Sequence, residues 1–338
     1  MRARSEGEMS AQEDARQRRP NIVVQDMTED TIKFVLTGTD TSIANALRRV
    51  IIAEVPTIAI DLVEVIENSS CLCDEFIAHR LGLIPLVSHK AADMQFPYDY
   101  AGDDDAMTDV PIELRVKCVS DQTEDVTSND FMINGDYTQY DTVKPVHYRP
   151  SKRAFGDATA SGAPADGVPV DGDKNPILIL KLRKNQEINM RCVARKGVGR
   201  DHAKWQPVAT ATYRFEPEIT INEDLMATLT EEEKIAFVES SPAPVFKYND
   251  QTRKVEIDAP DSYAYDGECL KKAEEMGKPG LVDIRAKEDT FLFTVESTGA
   301  LPPETIVLNA LKVLDAKLEM TKSELDIVKG ELEAAGAE

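Results

Sequence analysis

The residues able to do chemistry are few, and their spacing argues against each familiar kind of site. Four histidines occur, His79, His89, His147 and His202. His79 falls on a short apolar helix, where a structural role is expected because a base or nucleophile needs a paired group. Asp103-Asp104-Asp105 suggests a magnesium cluster, but consecutive aspartates on a loop read as solvated charge. Asp171-Gly172-Asp173-Lys174-Asn175 opens like a calcium loop, yet Pro176 stands where glycine is required and Leu182 where a bidentate glutamate belongs. There is no Walker loop and no GxGxxG turn. The five cysteines, Cys71, Cys73, Cys118, Cys192 and Cys269, are odd in number and scattered, which suits a reducing compartment better than a disulfide framework. Cys71 and Cys73 are expected on one face of a strand, without the two further ligands a tetrahedral zinc site needs, so packing as small hydrophobes is their expected role.

Composition narrows the field further. The chain has 338 residues, 42% hydrophobic and 30% charged, with a formal net charge of −22. That length normally builds two domains around real cores. So acidic a chain is a poor independent DNA binder, since lysine and arginine must neutralise phosphates, and no sequence-specific DNA binding is expected. No apolar run approaches the roughly 20 residues that span a bilayer, so no membrane role is expected. Residues 1–20 alternate arginine with acids around no hydrophobic centre, which reads as a disordered tail rather than a secretory or transit signal.

The elements that must carry any function are α and β together. Ile32, Phe34 and Leu36 alternate after a Thr28-Glu29-Asp30 turn, making a hairpin from Asn21 to Leu36. Asp40 and Thr41 offer capping oxygens to a helix whose stripe is Ile43, Leu47, Val50 and Ile51, closed by Pro56. Ile58, Ile60 and Leu62 alternate as a strand, as do Ile112, Leu114, Val116 and Cys118. Ile177–Leu182 and Ile188–Ala194 flank a polar turn and read as a second hairpin. Residues 94–109 and 151–173 read as mobile loops. Thr230 and Glu233 form a capping box, and Phe291–Val295 a last strand. After Pro302-Pro303 a long helix follows. Val307, Leu311, Leu314, Leu318, Thr321, Leu325, Val328 and Leu332 recur on it at steps of four and three, a heptad seam. Periodicity alone leaves two readings, packing on its own sheet or a dimer interface.

One stretch is basic against the acidic background. Lys181, Arg183, Lys184, Arg191, Arg195, Lys196, Arg200 and Lys204 are opposed within it only by Glu187 and Asp201. It reads either as a solvated strand face or as a docking surface for acidic protein or nucleic acid.

Four motifs carry a family resemblance. Ala44-Asn45-Ala46-Leu47-Arg48-Arg49-Val50-Ile51-Ile52-Ala53-Glu54-Val55-Pro56 is similar to the signature helix of alpha-type RNA polymerase subunits. Asp74-Glu75-Phe76-Ile77-Ala78-His79-Arg80-Leu81-Gly82-Leu83-Ile84-Pro85-Leu86 resembles its eukaryotic form, and Asp201–Trp205 and Phe293–Gly299 also match. In order they run from about Asn21 to about Lys317, nearly the whole chain. The segment from Ala264 to Leu281 resembles plant-type versions.

The resemblance implies an α+β, alpha-subunit N-terminal-like fold: a discontinuous dimerisation domain of residues 21–59 plus 206–335, with a β-rich domain of residues 60–205 inserted. It implies a nuclear, non-catalytic scaffold of RNA polymerase II that pairs with a small alpha-like subunit and recruits the second-largest and other small subunits. Catalytic magnesium then belongs to the large subunits. The closest alternative is the related subunit shared by RNA polymerases I and III; a free-standing coiled-coil adaptor explains the last helix but not Arg48-Arg49 in its setting. The pairing surface implied is Ile43, Leu47, Val50 and Ile51 with Val307, Leu311, Leu314, Leu318, Leu325 and Val328. Arg48, Arg49, Arg195, Lys196, Arg200, His202 and Lys204 are the implied docking residues for large subunits. Many relatives carry a zinc-ligand cysteine cluster, but the matching stretch here, Met94 to Asp109, has no cysteine, so no cofactor is expected.

Overall fold

The computed structural model describes residues 19–100, 102, 107–133, 143–147 and 175–335. The expected tail at residues 1–18, the aspartate run and the loop at 151–173 lie outside them. In chain order the elements begin with β1 (Asn21–Met27), β2 (Thr31–Thr37), α1 (Thr41–Ala53), β3 (Thr57–Asn68) and α2 (Asp74–Gly82). There follow β4 (Asp109–Lys117), β5 (Glu124–Thr127), β6 (Phe131–Ile133), β7 (Leu178–Leu182), β8 (Glu187–Gly197) and β9 (Val208–Ile221). The chain then forms α3 (Glu223–Ala227), α4 (Glu231–Glu239), β10 (Phe246–Asn249), β11 (Lys254–Ile257), α5 (Glu268–Glu275), β12 (Val282–Ser297) and α6 (Pro303–Ala335).

Two compact units emerge. Among the described residues, the first gathers 19–26, Lys33–Asn45 and Thr212–Thr294. Its main sheet has the order β1-β2-β12-β9. The alternation foreseen on β2 buries Ile32, Phe34 and Leu36, and Phe34 stacks on Phe293 of β12 at 4.8 Å. A smaller core gathers Met226, Phe237, Val245, Phe246, Cys269 and Leu281. Over it α4 starts with the expected capping box, in which the Glu233 amide donates to the Thr230 hydroxyl and the Thr230 amide to the Glu233 carboxylate. Those hydrogen bonds from Thr230 hold the Glu233 carboxyl below the usual carboxylate range.

The second unit gathers Met27–Ile32, Ala46–Ala211 and Val295–Glu338. By packing, then, the last helix groups with residues 46–211, whereas the sequence reading grouped it with residues 21–59 and 206–335. Its main sheet is ordered β3-β8-β4-β6, beside a β5-β7 pair. Ile58, Ile60, Ile77, Leu81, Ile112, Leu114, Met190 and Cys192 lie in one core.

Two strand expectations need correction here. The segments 177–182 and 188–194 are not a hairpin: β7 pairs with β5, while β8 pairs with β3 and β4. Sequence adjacency favoured mutual pairing, but Leu180 and Leu182 on one strand and Met190 and Cys192 on the other are all buried against strands formed earlier in the chain. The alternation Ile58, Ile60, Leu62 also breaks. A register irregularity falls between Ile60 and Leu62, and an extra residue in a bulge turns the next side chain to the other face. Ile60 is therefore buried while Leu62 is exposed.

Candidate assembly interface

α1 begins as its sequence dictates. The Asp40 carboxylate accepts from the Ile43 amide at 3.2 Å and from the Ser42 hydroxyl at 2.6 Å, satisfying a donor that the first helical turn leaves free. Its apolar stripe then divides. Leu47, Val50 and Ile51 are buried within the chain itself, as is Ala44, while Ile43 is 39% exposed. Arg48 is half-buried and Arg49 exposed. Three of the four stripe residues are therefore core, and a side chain with no accessible surface has none left to bury against a partner.

α6 divides along its length. Ile306, Val307 and Ala310 are buried and Leu314 is half-buried, whereas Leu311, Leu318, Leu325 and Val328 of the seam are exposed. Met320 and Ile327 are exposed beside them. At the changeover Lys317 Nζ lies 2.8 Å from both carboxylate oxygens of Glu54, the last acid of the signature motif. That bond fixes the start of the exposed half against the end of α1, a tie that local periodicity gives no sign of. The result is a run of unburied aliphatic side chains at heptad spacing, the pattern that docks a second helix or an apolar groove.

The expected basic docking surface is largely taken up internally. Arg195 donates from Nε and an Nη to both oxygens of Asp109, at 2.7 and 2.8 Å. Lys196 Nζ donates to the Met94 carbonyl and stands 4.6 Å above the Phe96 ring, and burial lowers its pKa. Lys204 Nζ donates to the Ile60 carbonyl and the Asp61 carboxylate. Lys181 pairs with Asp125, Lys184 with Asp121 and Arg191 with Glu64. The charge balance within residues 181–204 misled because the neutralising acids come from distant parts of the chain. Arg195, Lys196 and Lys204 thus make bonds within the chain, whereas Arg200 and His202 are exposed. His202 also caps the short turn before Trp205, its Nδ1 accepting from the Lys204 amide.

The cysteines depart from expectation in one respect. Cys71 and Cys73 are exposed, in the bend between β3 and α2 rather than packed on a strand. Cys118 and Cys192 lie in the second unit's core and Cys269 in the first unit's smaller one. Among the described residues no group of three or more histidine, cysteine, aspartate or glutamate side chains is placed to hold a metal ion. Among them, too, no helix is long and apolar enough to cross a membrane.

A signature helix anchored in a split α+β body, with a long exposed heptad helix after it, defines an alpha-type polymerase assembly subunit. Residues 33–318 match the model of the RNA polymerase Rpb3/Rpb11 dimerisation domain, and the chain belongs to that family. It is 49% identical to the Arabidopsis thaliana subunit 3 of DNA-directed RNA polymerases II, IV and V, over 93% of this chain and 94% of that protein. It is 44% identical to the Dictyostelium discoideum RNA polymerase II subunit rpb3, over 89% and 93%. The human RPAC1 subunit of RNA polymerases I and III is 36% identical, over 91% and 85%.

Proposed function

We infer that this chain is the third-largest, non-catalytic assembly subunit of RNA polymerase II, of the plant-type form, working in the nucleus. It pairs with a small alpha-like subunit, and the pair gathers the second-largest and other small subunits; nucleotidyl transfer resides in the large subunits, and this chain needs no cofactor of its own. The observation that carries the reading is the exposed seam of Leu311, Leu318, Leu325 and Val328 on a helix whose first turns are already core. Aliphatic side chains in water at that spacing are stabilised by a partner at roughly 25 cal/mol per Å² of apolar surface covered. Arg49 and Arg200 supply exposed cations, and His202 an exposed imidazole, for docking larger subunits. The higher identity to the Arabidopsis and Dictyostelium subunits than to human RPAC1 supports this reading over the subunit shared by polymerases I and III.

The test is co-expression with the small alpha-like subunit and mass measurement by light scattering. Removal of residues 318–338 leaves Ile306, Val307 and Ala310 in place, so the truncated chain is expected to fold but not to pair. A 1:1 complex that survives the truncation overturns the assignment of the seam. Zinc at one equivalent per chain in the purified protein overturns the reading that no cofactor is held.

A further inference from the structure

The first unit holds a groove of about 680 Å³ whose two walls are both sheet edges. One wall is the end of β9, Ile219–Ile221, the other β11 and the turn before it, Thr252–Ile257. β9 ends the order β1-β2-β12-β9, and among the described residues β11 is paired only with β10. Backbone alternation fixes what these edges present. The Asn222 amide donates to Leu281 beside β12, so towards this end of β9 the even-numbered residues turn their backbone groups to the sheet and the odd-numbered ones turn theirs outward. The Tyr265 hydroxyl accordingly reaches the Phe215 carbonyl from outside, and Pro217, which has no amide hydrogen, sits at an outward position where none is needed. Beyond those two protections, Ile219 and Ile221 turn their N–H and C=O groups into the groove. On the opposite wall the Asp258 amide donates to Val245, and Glu256 and Lys254 face Lys247 and Asn249. Val255 and Ile257 therefore point their backbone groups into the same space.

The side chains add a preference. Met226 and Val255 are nearly buried at the floor, and Ile257 is 38% exposed. At the rim Lys254 is paired with Glu223 and Arg253 with Glu231. Lys234 Nζ donates to the Arg253 carbonyl, and among the described residues no carboxylate lies within ion-pair distance of it. Open edges are normally blunted, because unpaired strand amides invite another chain; here they line an apolar-floored groove in which three cations, Lys234, Arg253 and Lys254, outnumber the carboxylates of Glu223 and Glu256, the latter held by Asn249 and Thr252.

We propose that this groove is a strand-addition site for an extended segment of a partner protein, apolar at alternate positions and bearing a carboxylate. The segment takes its backbone hydrogen bonds from Val255 and Ile257, lays its apolar side chains toward Met226 and Ile219, and sets its carboxylate against Lys234. This surface is separate from the α6 seam and independent of the role assigned to it.

The probe is a capped, fluorescein-labelled octapeptide alternating valine and glutamate, titrated into the full chain by anisotropy. Three comparisons accompany it: the valine–lysine octapeptide, the valine–glutamate peptide N-methylated at alternate amides, and the Ile257→Pro chain. Saturable binding is expected, with hydrogen exchange slowed at Val255–Ile257. The lysine peptide and the methylated peptide are expected to bind at least about tenfold more weakly, a loss of ~1.4 kcal/mol or more. Ile257→Pro removes an outward amide without touching the bonds to β10, and is expected to weaken binding by a similar factor. If that variant fails to fold, the methylated peptide on the unaltered chain still decides. Absence of saturable binding, or equal affinity for the methylated or lysine peptide, overturns the proposal.

Discussion

Replacing Arg195 by alanine separates a structural from a docking role for the basic stretch. Arg195 and Asp109 are direct cross-strand partners on β8 and β4, and their side chains are 25% and 17% exposed. Two hydrogen bonds between charged groups in a bidentate arrangement are broken by the change. One such bond contributes ~1.5–3 kcal/mol, and the remaining water access argues for the low end when the two are taken together. A loss of ~2 kcal/mol is therefore expected for Arg195→Ala, with a similar loss for Asp109→Ala, which takes both carboxylate acceptors away from a half-buried guanidinium. The double variant is expected to lose ~1–2 kcal/mol less than the sum of the singles. Trp205 is the only tryptophan, and its indole N–H donates to the Arg195 carbonyl at 3.1 Å, so its fluorescence reports on this region during urea unfolding. With a slope of ~2 kcal/mol/M the midpoint is expected to fall by ~1 M. If Arg195→Ala unfolds at the unaltered midpoint and instead loses a polymerase partner, the structural reading is refuted.

Three further outcomes are expected. Iodoacetamide should label Cys71 and Cys73 in the native chain and reach Cys118, Cys192 and Cys269 only after unfolding; burial pushes the Cys192 thiol up to about 12, and a third native adduct by intact mass counts against the burial described. Gly197→Ala should cost ~1–3 kcal/mol or more, because the added carbon would run into the indole ring of Trp205; an unchanged urea midpoint counts against that packing. Because the Glu233 carboxyl is held low, its cap contributes fully above the unfolded value of ~4.3 and is lost as pH falls through the lower folded value. Glu233→Gln should remove that part of the acid sensitivity of α4, as read by hydrogen exchange at its first turn, and an unchanged profile counts against the cap.

Local chemistry was legible in the sequence wherever a few neighbouring residues settle it. The Asp40 cap, the Thr230–Glu233 box and the proline start of α6 depend on spans of a turn or less. The core side of β2 followed from simple alternation. Longer-range choices were not legible. Which strand β7 takes as partner depends on Val126, far back in the chain, and the neutralisation of Arg195 and Lys204 depends on Asp109 and Asp61. The seam of α6 showed its period at once, but its partition into a buried beginning and an exposed remainder is set by where the folded body ends. The β10–β11 hairpin, which walls the groove, lies between the Thr230–Glu233 capping box and the Phe291–Val295 strand, a stretch for which no strand was expected. Phe246 and Tyr248 before Asn249-Asp250, with Val255 and Ile257 after, are the alternation that marks it.

The order β1-β2-β12-β9 also sets a timetable for the nascent chain. β12 lies between β2 and β9 in the sheet, yet it is made after the whole stretch from Gly38 to Leu281 has left the ribosome. Until then β2 has only β1 beside it, and β9 lacks its neighbour altogether. Phe34 has no Phe293 to stack on, and Phe215 and Tyr213 have no Phe291. At ~5–20 residues per second that interval lasts many seconds, during which unpaired strands and aromatic side chains stay accessible. Pairings so far apart in sequence close slowly even once they can. A chain built this way keeps its early strands open to mispairing throughout synthesis, and a ribosome stalled short of Val282 releases a product whose central sheet has no middle.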